Sequence, residues 1–74
     1  MTGTISKLDI RHRSGLVRMD VRIPERTNRR FAHFRARDIL GGILFTDLRR
    51  GLRVSFEPGI NDKGVTAERV RVQR

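Results

Sequence analysis

Apolar and polar residues alternate along this chain in short runs broken by glycines and charged clusters, and no segment keeps an i, i+3, i+4 apolar spacing for three turns. The pattern predicts strands. The cleanest covers residues 16–23, with Val17, Met19, Val21 and Ile23 on one face and Leu16, Arg18, Asp20 and Arg22 on the other. A first strand over residues 4–10 carries Ile5, Leu8 and Ile10, and its parity changes between Ile5 and Leu8, which predicts a bulge or a strong bend. Residues 11–15 form the turn between these two strands. Residues 24–28 form a second, polar turn, and residues 29–34 a short third strand with Phe31 and His33 sharing a face. The long connection at 35–50 holds Asp38, suited to capping a short helical turn, and Gly41 with Gly42, which stop anything longer. Leu52, Val54 and Phe56 form the inward face of a fourth strand, residues 58–64 a loop, and residues 65–72 a fifth strand. The fifth strand also changes parity, between Val65/Ala67 and Val70/Val72.

Bulges in the first and last of five short strands let a sheet curl until it closes. The fold expected is all-β: a five-stranded antiparallel OB-fold barrel, with a long loop between strands 3 and 4, forming one domain over residues 1–74. Closure also removes exposed strand edges, which a strand-rich chain needs in order to stay soluble.

Composition changes this picture in two ways. A chain of 74 residues without cysteine has neither a disulfide nor a thiolate metal site to brace it. Such a small domain buries only about 60% of its unfolded surface. No apolar run reaches signal-peptide or membrane-spanning length, so a cytoplasmic protein with no membrane partner is expected. The charge says more. Seventeen Lys and Arg face eight Asp and Glu, for a net +9. Fifteen of the seventeen are Arg. Codon bias accounts for Arg over Lys, but not for the excess of bases over acids. A basic domain of this kind is expected to bind nucleic acid.

Several segments carry a family likeness. Gly3-Thr4-Ile5 opens like a glycine-led first strand, and Arg13-Ser14-Gly15-Leu16-Val17 occupies the place of a first RNP-type motif. Phe31-Ala32-His33-Phe34 looks like the second such motif, followed by Ala36 and Ile39. Residues 48–57 resemble a fourth strand with its lead-in, and Lys63-Gly64 with Ala67 and Val70 the last strand. In this order the chain resembles a divergent member of the cold-shock domain family. The resemblance implies an OB barrel that stacks the bases of single-stranded RNA or DNA on aromatic rings of its first three strands. It further implies a role as an RNA chaperone or a transcription or translation modulator, with no cofactor. Here the motifs have degenerated. Lys7 stands at the aromatic position of the first strand, Ser14 and Leu16 replace two phenylalanines, and the chain has no Trp or Tyr. Arg30 stands where the family has an inward apolar residue, so it pairs with an acid, reaches out at the barrel rim, or the register differs by one.

The nucleic-acid-binding residues expected from these arguments are Lys7, Arg11, His12, Arg13, Leu16, Phe31, His33, Phe34, Phe45 and Lys63. Phe31 and His33 are the stacking pair. Phe34 has the opposite parity, which leaves it between stacking and plugging one barrel end. Phe45 lies in the long connection, as a fourth ring or as an anchor for that loop. Phe56 belongs to the core. Arg11-His12-Arg13 is a basic turn beside the face, and Arg18, Arg22, Arg49, Arg50, Arg53, Arg69 and Arg71 serve solubility and steering. Base stacking is worth ~1–3 kcal/mol per platform, so a face with lost rings must lean on charge and be sensitive to salt.

An enzyme is not expected. His12 and His33 are the only histidines, and there is no metal-ligand spacing, phosphate-cradling glycine loop or nucleophile elbow. Two other readings remain beside single-strand binding. The barrel could serve as a protein-interaction module through Leu16 and the 35–50 loop, with an acidic protein or a second copy as partner, a homodimer among the options. It also resembles translation initiation factor one, a ribosome-associated OB protein.

Overall fold

The computed structural model describes residues 1–21, 30–62 and 64–73. They form five strands: β1 (Thr2–Asp9), β2 (Ser14–Met19), β3 (Phe31–Arg35), β4 (Arg53–Asn61) and β5 (Gly64–Val72). The strands close into a barrel in the order β1-β2-β3-β5-β4, which is the OB-type arrangement the alternation pattern predicts. One detail differs from an all-antiparallel barrel. β3 and β5 meet in parallel, with His33 opposite Thr66. The ladder stays antiparallel everywhere else, and this one parallel seam is what closes the ring.

Both expected bulges are present, and each has a packing reason. On β1, Ile5 pairs with Val17 and Lys7 with Leu16, so Ser6 is an extra residue. The insertion keeps Ile5 inward, turns Lys7 outward and brings Leu8 back against the core. On β5, Ser55 pairs with Arg71 and Glu57 with Glu68, which leaves Arg69 and Val70 facing one residue of β4. Arg69 takes the left-handed conformation at the bulge, φ 51°. Val65, Ala67 and Val70 are all buried as a result.

The core joins Ile5, Val17, Met19, Ala32, Val54 and Phe56 to rings and aliphatics from the connection and β5, and no polar side chain is buried among the described residues. Gly15 shows how tight it is. A Cβ there would stand 2.5 Å from the Lys7 carbonyl oxygen and 2.8 Å from the Phe34 ring. The strands cross closely at Gly15 because the ring lies over it.

Two expectations need correction. β2 ends at Met19, and Val21 is 63% exposed, so the inward face of that strand stops at Met19 and does not take in Val21 as its alternation implies. Ile23 and the 24–28 turn lie outside the described residues. The loop expected at 58–64 is largely strand: Ile60 pairs with Val65 and Asn61 with Gly64. Pro58 and Gly59 are local breaker signals, but the partner strand supplies a continuous ladder and overrides them.

The connection between β3 and β4 is irregular but tied down. Two 3₁₀ turns, Ala36–Asp38 and Phe45–Asp47, are each closed by an aspartate. The Asp38 carboxylate accepts the Arg35 N–H at 2.9 Å and that of Asp47 the Leu44 N–H at 3.3 Å. The capping role expected of Asp38 is thus met from the third position of its turn. Ile39 bridges Val70, and the Leu40 N–H donates to the Val70 carbonyl, so the connection lies along β5. Its far end returns to β1: the Gly51 N–H donates to the Ile5 carbonyl, and the Ile5 N–H to the Leu52 carbonyl.

Candidate nucleic-acid interface

The outward grid of β1, β2 and β3 follows from the pleat and the Ser6 bulge. One row runs Lys7, Leu16, His33 in direct cross-strand register. The next runs Thr4, Arg18, Phe31. Directly opposed side chains on one face stand with their Cβ atoms about 4.5–5.5 Å apart. A flat base can therefore bridge neighbouring members of a row. Phe31 is 41% exposed, whereas Phe34, Phe45 and Phe56 are 0%, 9% and 3% exposed. His33 is also exposed, and Leu16, directly opposite it on β2, is half-buried. Phe31 and His33 thus share an open face, as their spacing predicts.

Two other rings do not belong to it. Phe34 faces inward because it alternates with Phe31 and His33 along β3, and its side chain packs over Gly15. Phe45 sits on the second 3₁₀ turn and is pressed into the barrel, its ring 6.4 Å from that of Phe34 at a 44° tilt. Neither can meet a base, so Phe34 and Phe45 leave the interface and join the core. Lys63 lies outside the described residues.

Arg11, His12 and Arg13 are exposed on the β1–β2 turn. The His12 ring is engaged: its Nδ1 lies 2.9 Å from Asp9 Oδ2, and the His12 N–H donates to Asp9 Oδ1 at 3.2 Å. These hydrogen bonds hold the Asp9 carboxyl below its ordinary range. Arg11 and Arg13 of this turn have no side-chain partner among the described residues. Arg13 adopts φ 50°, and its carbonyl accepts the Ala36 N–H, which fixes the turn to the end of β3. Arg30 is exposed, in keeping with the option that it reaches out at the rim.

An open groove of about 890 Å³ runs beside His33. Leu16, His33 and Arg35 form one wall, and Ile60, Asp62, Thr66 and Glu68 of the β4–β5 hairpin form the other. Arg37 and Asp38 stand at its end. Two arginines therefore meet three carboxylates, a mixed lining rather than a cationic one. Sequence reasoning missed most of this groove. The outward parity of Arg35 was available as a signal. Thr66 and Glu68 reach the site only through the parallel β3–β5 seam, which no local pattern encodes.

A second acid on the face is already occupied. Asp20 accepts two hydrogen bonds from the Arg53 guanidinium, at 2.8 and 2.6 Å, and one from the Thr2 hydroxyl at 2.6 Å. Arg53 also donates to Thr4 Oγ1 at 2.9 Å. The Arg53 pair, helped by Thr2, pulls the Asp20 carboxyl far below its usual value and raises the guanidinium in return.

No protein-family model matches the chain, and no curated protein sequence matches it.

Proposed function

We propose that the domain binds single-stranded nucleic acid, RNA or DNA, on the β1-β2-β3 face, in the manner implied by its resemblance to cold-shock domains. One observation carries the reading: Phe31 and His33 present their rings outward from adjacent outward positions of one strand, in register with Leu16, Arg18 and, across Leu16, Lys7. Two rings on a basic barrel suit a strand of unpaired bases, each stack contributing ~1–3 kcal/mol. That alone gives weak binding. The rest comes from phosphate contacts, and log K then falls with log salt by about 0.7 for each phosphate neutralised on a single strand. By the same resemblance the domain acts as an RNA chaperone or as a modulator of transcription or translation, needing no cofactor.

Fluorescence anisotropy with a short oligo-dT or oligo-U across a salt series tests this, together with amide chemical shifts. The expected result is binding at low salt with a steep salt slope and shifts centred on Lys7, Leu16, Phe31 and His33. Absence of shifts at these positions at low salt overturns the reading and directs attention to a protein partner.

A further inference from the structure

We infer that the phosphate-binding site of this domain is a second groove, on the far side of the Phe31 row, in which Arg18, Arg30 and Arg50 form a clamp for a polyphosphate or phosphodiester chain. The inference rests on the nucleic-acid reading for the nature of its ligand, but the site is defined by its own geometry. The groove holds about 930 Å³ and is lined by Thr4, Ser6 and Gly51 besides the three arginines, over a floor of Ile5 and Met19. Its one carboxylate among the described lining residues is Asp20, and that group is already saturated by Arg53 and Thr2. None of the three arginines has a side-chain partner among the described residues. All three are exposed. Positive charge without a counterion among the described residues, held in a concave site, favours an incoming anion.

The backbone that carries these side chains is fixed. Arg18 lies in the β2 ladder opposite Phe31. The Met19 N–H donates to the Arg30 carbonyl at 2.7 Å, which holds Arg30 one step before Phe31. On the opposite wall, the Gly51 N–H donates to Ile5 at 2.8 Å and sets Arg50 beside the β1 bulge. Gly51 has φ +91° with open space where a side chain would stand, so the turn that delivers Arg50 needs glycine for its backbone alone. Guanidinium groups match phosphate oxygens with paired N–H donors. Since Arg18 opposes Phe31, a base stacked on that ring places its own phosphate at the mouth of the groove.

The test compares two double variants of equal charge: Arg30→Gln with Arg50→Gln, and, as a control on β5, Arg69→Gln with Arg71→Gln. Each is measured for oligo-dT affinity across salt and for amide shifts on titration with tripolyphosphate. The groove variant is expected to lose at least fivefold in affinity at low salt and to reduce the salt slope by about 1.4, two phosphates at about 0.7 each. The control is expected to keep its slope. Tripolyphosphate shifts are expected to centre on Arg18, Arg30 and Arg50. Equal losses in both variants, or tripolyphosphate shifts spread evenly over Arg69 and Arg71, overturn the clamp. If the oligonucleotide fails to bind while tripolyphosphate still selects the groove, the nucleic-acid reading fails and the anion site stands.

Discussion

Two grooves flank the Phe31–His33 face, and they are close in size, about 930 and about 890 Å³. Their linings differ in charge. The one beside Arg18 carries three arginines with no side-chain partner among the described residues, and one neutralised aspartate. The one beside His33 mixes Arg35 and Arg37 with Asp38, Asp62 and Glu68. Among the described residues, positive charge is therefore not shared evenly between the two grooves. On the proposed reading the difference sorts a single strand, with phosphates drawn to the Arg18 side and base edges to the hydrogen-bonding groups of the other. Direction of binding across the face would then follow from charge, with the two rings as the divide.

The largest effect that can break the comparison comes from removing its support. Phe34→Ala empties the inner side of β3, and loss of a buried phenylalanine costs about 3–5 kcal/mol. In a domain this small that is enough to collapse both grooves together, seen as loss of the cooperative urea transition and of amide dispersion. Phe31→Ala separates surface from core. The ring is 41% exposed, so the fold should persist while oligonucleotide affinity falls about 5- to 150-fold, the equivalent of ~1–3 kcal/mol for one stack. Unchanged affinity would remove the divide from the model of binding.

A smaller change sharpens the contrast from the acidic side. Asp62→Asn with Glu68→Gln removes two exposed carboxylates from the mixed groove. Affinity for oligo-dT should rise by about two- to fivefold at low salt, in keeping with ~0.5–1 kcal/mol for exposed charges, and the gain should vanish at high salt. A fall in affinity would mean that these acids contact the ligand directly.

The smallest effect concerns Asp20. Its folded carboxyl is held far below the ordinary value by Arg53 and Thr2, so the stabilisation it gives is complete above about pH 4, where the unfolded carboxyl is ionised. It is lost progressively as pH falls toward the depressed folded value. Asp20→Asn should therefore lower Tm modestly at pH 7, and the difference from wild type should shrink in acid. The same substitution frees Arg53 beside the arginine groove, so oligonucleotide binding at neutral pH should tighten slightly. Thermal melts at several pH values, with one anisotropy titration, check both arms.

Much of the barrel was legible because strand parity is local. The alternation at Val17 and Met19, the parity breaks between Ile5 and Leu8 and between Ala67 and Val70, and the outward pairing of Phe31 with His33 each depend on a few consecutive residues. Less legible was any feature in which one strand meets another far along the chain. Pro58 and Gly59 signal a loop until β5 pairs with them. Phe45 offered either a fourth ring or an anchor for its loop until the connection folded down over the barrel. Arg18, Arg30 and Arg50 have no common pattern in the sequence, since they come from β2, the approach to β3 and the approach to β4. They meet only because β1 lies between those elements and receives hydrogen bonds from Gly51.

By itself, then, the sequence determined the strand class, the bulges, the excess of positive charge and which two rings of β3 share a face. These are set by backbone periodicity and composition. Tertiary structure alone decided that Phe34 and Phe45 fill the core, that β3 and β5 close the ring in parallel, and that, among the described residues, three arginines gather in one groove while three carboxylates border the other. Such features depend on closure of the barrel, which brings distant segments to fixed distances, and the energy of that closure belongs to no single stretch of the chain.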